Sequence, residues 1–125
     1  MNRNVLIAIA GLVLVVLALT LWSSRQDTEV ASSDKYKVGF IYIGPPGDHG
    51  WNYQHDVGRK AVEQAYGDKV ETVFQENVPE SADAERVMSQ MALAGTDMIF
   101  ATSFGYMDPV INVAKKFPGV KFEHA

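Results

Sequence analysis

Lys37-Val38-Gly39-Phe40-Ile41-Tyr42-Ile43 runs directly into Gly44-Pro45-Pro46-Gly47-Asp48-His49-Gly50-Trp51-Asn52-Tyr53. A short run of β-branched and aromatic residues that stops at turn residues reads as a buried strand. Trp51 to Tyr66 then reads as a helix. Val57, Ala61 and Ala65 recur every four residues with Val62 alongside, which predicts its inner face, and Gly67 is placed to end it. The same grammar returns downstream. Asp97-Met98-Ile99-Phe100-Ala101 reads as a strand, and Thr102-Ser103-Phe104-Gly105-Tyr106-Met107-Asp108-Pro109 leads into a helix that Asp108 is predicted to cap, with Pro109 at its first position.

Between and after these units the alternation continues. Lys69-Val70-Glu71-Thr72-Val73-Phe74 alternates as a half-exposed strand does, and Asn77-Val78-Pro79-Glu80 reads as a loop. Ser81 is a predicted N-cap, with Asp83 and Glu85 in the first turn where the helix dipole favours acids. Ala84, Val87, Met88, Met91 and Ala92 make one apolar face, and Gly95 ends that helix. Val110, Val113, Ala114 and Phe117 form the inner face of the next, Pro118-Gly119 breaks it, and Val120-Lys121-Phe122-Glu123 begins a fourth strand. The β-α-β-α-β-α-β pattern implies an α/β fold, a doubly wound parallel sheet with right-handed crossovers. The expected strand order is 2-1-3-4, which places the switch point between the first and third strands. Their two loops should then share one rim, outside the carboxyl ends of the strands, where ligands bind.

The remaining sequence bounds the cell biology. The 125 residues suffice for one domain at most. Val5 to Trp22 is apolar except for Gly11 and Thr20, close to the ~20 residues that span a bilayer. Residues 1–23 therefore read as a signal anchor or a cleaved signal peptide, and the polar stretch 24–34 as a linker to the domain of residues 35–125. Arg3 before the apolar run, and Asp27 and Glu29 after it, place the domain outside the cytoplasm, tethered by or exported through that segment. The absence of cysteine excludes disulfides, thiol catalysis, thiolate metal sites and a lipid anchor on an amino-terminal cysteine. A net charge of -4 without a basic stripe argues against nucleic acid as a partner.

The two loops supply the candidate ligand-binding residues. Trp51, Tyr53, Phe104 and Tyr106 offer ring faces on which a base stacks, or else they seal the sheet edge. Asn52 offers an adjacent donor and acceptor that match an adenine edge, or else it caps the helix. Asp48 accepts from a sugar hydroxyl or a base amino group, or else forms an Asx-turn with Gly50. Asp108 is the more structural of the two acids, because Asp-Pro is a natural helix start. Gly50 and Gly105, like Gly44 and Gly47, let backbone approach a ligand or merely turn the chain. His49, His55 and His124 lack the companions of a metal site, and no phosphate loop or nucleophile elbow is present, so no cofactor and no catalysis are expected.

Gly47-Asp48, Gly50-Trp51-Asn52, the segment Thr102 to Pro109 and the closing Lys121-Phe122-Glu123-His124-Ala125 together resemble the BMP (basic membrane protein) family of substrate-binding proteins of ABC importers. Trp51 stands where Phe is commoner in that family, and the usual lipoprotein cysteine is missing. The resemblance covers Lys35 to Ala125. It implies an amino-terminal lobe, incomplete, of a type I periplasmic binding protein, with a purine nucleoside or nucleobase held in a cleft between two lobes and ABC permease subunits as partners. Half of that cleft is expected here, on an amino-terminal fragment. A membrane-anchored sensor or interaction domain on the same fold, and a flavodoxin-like nucleotide enzyme, are the alternatives.

Overall fold

The computed structural model describes residues 35–125. The predicted anchor at 1–23 and linker at 24–34 lie outside the described residues. Among the described residues, no helix is long and apolar enough to cross a membrane.

Four strands and three helices alternate: β1 (Tyr36–Tyr42), α1 (Trp51–Tyr66), β2 (Val70–Gln75), α2 (Ala82–Leu93), β3 (Met98–Thr102), α3 (Met107–Lys116) and β4 (Lys121–His124). The sheet order is β2-β1-β3-β4, and every pairing is parallel, as the alternation predicts. Phe40 is the pivot of the register, opposite Phe74 on β2 and Phe100 on β3. Because β3 pairs with β1 rather than β2, the chain must cross β1 to reach it. Right-handed crossovers in opposite directions place α1 on one face and α2 and α3 on the other.

The face under α2 and α3 holds the main core. Ile41, Ile99 and Ala101 of the sheet pack with Ala84 and Met88 of α2 and Val110 and Val113 of α3. Helix α2 begins as the sequence predicts: the Ser81 hydroxyl accepts from the Asp83 N–H at 3.3 Å, with Asp83 and Glu85 in the first turn. It ends at Gly95, whose φ of 80° is a left-handed value that glycine adopts without steric cost. Helix α3 departs from expectation. It is entered through a 3-10 turn, Phe104–Tyr106, so that Asp108 lies inside the first turn and caps nothing with its side chain. An acid there still complements the dipole, as Lys115 and Lys116 do in the last turn.

The other face carries Val38, Phe40 and Tyr42, with Val70, Met98 and Phe100 against them. Phe40 and Phe100 stack with ring centroids 5.0 Å apart. Here the expected inner face of α1 is overturned. Val57, Ala61 and Ala65 are exposed, and the residues turned inward are Asn52, Asp56 and Arg59. The cause lies in the sheet beneath. Tyr42 and Thr72 present hydroxyls, and Phe74 presents a ring face. The Arg59 guanidinium lies 4.8 Å from that ring centre, donates to the Thr72 hydroxyl at 2.8 Å and pairs with Asp56 at 2.7 Å. Tyr42 reaches the same Asp56 carboxylate at 3.4 Å, and Lys60 closes on its second oxygen at 2.8 Å. A charged stripe can face the sheet because every charge on it is paired.

This arrangement separates two substitutions on one helix. Arg59→Leu strips the buried guanidinium from Asp56 and Thr72, leaving Tyr42 and Lys60 on the carboxylate, and should cost about 1–3 kcal/mol of stability. Ala61→Ser, on the face once expected to be buried, should change stability by less than about 0.5 kcal/mol. Denaturant unfolding of both variants reads the difference, and equal effects would contradict the inward polar stripe.

Candidate functional site

The carboxyl ends of β1 and β3 lie side by side, Tyr42 opposite Thr102. The Thr102 hydroxyl donates to the Ile41 carbonyl at 2.8 Å and locks the two strand ends together. Above them the Trp51 indole N–H donates to the Thr102 carbonyl at 2.8 Å. That single bond joins the loop after β1 to the loop after β3, and it shows that both loops meet on one rim. Trp51 keeps 54% of its surface in solvent and Phe104 keeps 81%. Tyr53 is also exposed, beside His49 at a centroid distance of 5.4 Å. His55 packs edge-on against Trp51 at 4.7 Å, and its burial lowers its pKa.

Asp48 builds the first loop. One carboxylate oxygen accepts from the N–H groups of Gly50 at 2.8 Å and Tyr53 at 3.0 Å. The other accepts from the Asn52 N–H at 3.2 Å and the Asn52 side-chain amide at 2.8 Å. Asn52 and Tyr53 are the second and third residues of α1, so Asp48 caps that helix from two residues before its N-cap, Gly50. Four donors, the Gly50 N–H foremost, outweigh partial desolvation and hold the Asp48 carboxyl down to about 2. Asn52 is buried, its amide on Asp48 and its carbonyl 3.4 Å from the Gly44 N–H. Gly44 belongs there because a Cβ would stand 2.9 Å from the Asn52 amide nitrogen. His49 takes a φ of 54° between Asp48 and Gly50, a left-handed value that histidine tolerates better than most residues.

In the second loop Tyr106 is corrected from its expected place on the rim. Its side chain is fully buried, and its hydroxyl donates to the Val78 carbonyl at 2.6 Å. Burial, and the Glu80 charge to a lesser degree, push its pKa up. The ring belongs to the main core because the 3-10 turn swings it inward while sending Phe104 outward. Gly105 is half-buried and Asp108 is exposed at the start of α3.

Glu80 is the residue that sequence reading missed. It ends the loop after β2 and accepts from Ser103 and Gly105 across the rim. Nothing in its own neighbourhood marks it, since Ser103 and Gly105 are 23 and 25 residues away. The three histidines take separate roles, with His124 on the Ser103 carbonyl at 2.9 Å. Among the described residues no group of three or more His, Asp or Glu side chains is placed to hold a metal ion. Two open hollows, of about 490 Å³ beside β2 and α2 and about 430 Å³ between α1 and Phe100, include neither Trp51 nor Phe104. The rings that the rim leaves exposed are Trp51, Tyr53 and Phe104.

Residues 35–125 match the family described as ABC transporter substrate-binding protein, PnrA-like (Bmp). A purine-binding protein of Brucella abortus is 67% identical over 94 residues, which are 75% of this chain and 27% of that protein. A protein of Haloferax volcanii named as an ABC transporter glucose-binding protein is 42% identical over 95 residues, 76% of this chain and 24% of its own length. The chain thus spans about a quarter of the curated relatives it matches. The crystal structure of an ABC transporter solute-binding protein from Aeropyrum pernix superposes with a TM-score of 0.61 at 27% identity, covering 70% of this chain and 24% of that one.

The capping role of Asp48 has a pH signature. Its folded pKa lies below the ordinary carboxylate value, so the order it confers is fully present above about pH 4 and is lost as pH falls toward 2. Amide protection at Gly50 and Tyr53, the exchange rate relative to the intrinsic rate at the same pH, should fall across that window. Asp48→Ala should give fast exchange at both amides already at neutral pH, with no further acid step.

Proposed function

The chain belongs to the PnrA-like (Bmp) family of ABC transporter substrate-binding proteins, and we propose that its rim is one wall of the cleft in which such a protein takes a purine base or nucleoside. Proteins of this kind work outside the cytoplasm and bind their solute without transforming it. The observation that carries the purine reading is the pair of exposed rings, Trp51 and Phe104, delivered to one rim by two different loops and joined through the Thr102 carbonyl. The identity of 67% to a protein named purine-binding points the same way.

The roles divide by what each group still has to offer. Trp51, Phe104 and Tyr53 provide ring faces for stacking on a flat base. Gly50 and Gly105 let the loop backbones stay low beneath it. Asp48 and Asn52 spend their hydrogen-bonding capacity on holding the first loop, and Asp108 lies at the mouth of α3. A second lobe closing over the ligand would complete the cleft, and the closed form would dock on permease subunits. The apolar segment of residues 5–22 would tether or export the domain.

Calorimetric titration with adenine, adenosine, guanosine and glucose tests the reading. Purines should bind and glucose should not. Phe104→Ala and Trp51→Ala should each weaken purine binding by about 1–3 kcal/mol, the usual worth of one ring stacked on a base. Preference for glucose over every purine would overturn the assignment, and would favour the sugar named for the Haloferax relative.

A further inference from the structure

We propose that Glu80 is a positioning residue of this site: it clamps the loop from Ser103 to Tyr106 so that Phe104 is presented to the ligand. The proposal rests on the purine reading above and extends it to a residue on a third loop. One carboxylate oxygen, Oε1, accepts from the Ser103 hydroxyl at 2.5 Å and from the Gly105 N–H at 2.8 Å. Those two donors flank Phe104 on either side, so a single atom fixes the backbone beneath an otherwise free ring.

Three further contacts turn this into a built device. His124 donates through Nε2 to the Ser103 carbonyl at 2.9 Å from the opposite flank. The Tyr106 hydroxyl donates to the carbonyl of Val78, two residues before Glu80, so both loops are tied twice. Ser81, next to Glu80, caps α2, which anchors the carboxylate immediately ahead of the N-cap of a packed helix. Both Glu80 bonds favour the charged form, and the Ser103 hydroxyl contributes most to lowering its pKa. Gly105 carries the reciprocal mark. A Cβ at that position would stand 2.7 Å from both Glu80 oxygens, so the carboxylate occupies the space a side chain would need. Glu80 is itself exposed and contributes nothing to the core, so its effect falls on loop order and hence on binding.

A double-mutant cycle tests the clamp with two readouts, amide exchange at position 105 and calorimetric affinity for adenine. Glu80→Ala should speed that exchange and weaken adenine binding, each about tenfold. Glu80→Gln keeps an oxygen in the place of Oε1 and should hold both readouts within about threefold of the unaltered chain. Gly105→Ala should be damaging beside Glu80 and tolerated in the Glu80→Ala background, a non-additive pair. Unchanged exchange in Glu80→Ala, an additive cycle, or Glu80→Gln as harmful as Glu80→Ala would overturn the clamp. Failure of the unaltered chain to bind any purine would instead overturn the reading of the site, while the exchange cycle would still decide the clamp.

Discussion

The pairing of β1 with β3 is the constraint from which the rest of this domain follows. Had β2 paired with β3 in simple succession, all helices would lie on one face and the strand ends would form a level edge. Inserting β1 between them sends the chain in opposite directions from β1, so α1 covers one face while α2 and α3 cover the other. The loops leaving β1 and β3 must then diverge to opposite sides, and a crevice opens between them at the carboxyl edge. Trp51 reaches across that crevice to the Thr102 carbonyl, which is why the rim is one surface and not two separate turns.

Much of this was legible in the residues. Strand positions, the order 2-1-3-4 and the cap of α2 depend on local pattern and turn chemistry, and they agree with the structure. The inner face of α1 was not legible, because period-four spacing of Val57, Ala61 and Ala65 reports only an apolar stripe and not which stripe meets the sheet. The deciding partners, Tyr42, Thr72 and Phe74, sit on strands whose facing the helix sequence does not encode. Tyr106 was misplaced for a related reason. Phe104 and Tyr106 look equivalent on either side of Gly105, and only the 3-10 turn separates one into solvent and the other into the core. Glu80 was invisible, since a lone acid in a loop carries no pattern until its distant partners are placed beside it.

The site residues also show a division of labour that composition alone blurs. An exposed loop normally sheds much of its order, and fixing it on binding costs about 0.5–1.5 kcal/mol per mobile side chain. Here the order is already present. Asp48 holds the first loop through four donors, and Glu80 holds the second through two. These bonds lower the pKa of both acids, and neither takes part in the core. Two carboxylates on one rim would repel an anion, so the proposed ligand fits better as a neutral base or nucleoside than as a nucleotide.

Polar satisfaction and apolar exposure point in opposite directions on this rim, and the contrast defines what it has left to give. Both Asp48 oxygens are engaged, the Asn52 amide and the Trp51 N–H are donated internally, and one Glu80 oxygen already accepts two bonds. The rings are the reverse case: Phe104 presents its apolar faces to water, and Trp51, with His55 packed against it, keeps about half of its surface there. Under the purine reading proposed above, a rim built this way would recognise a flat shape more than a hydrogen-bonding pattern. Stacking is sequence-tolerant because every base has a π-face. Discrimination between one purine and another would then fall to groups on the opposite wall of the cleft, and this lobe would set the plane in which the base lies.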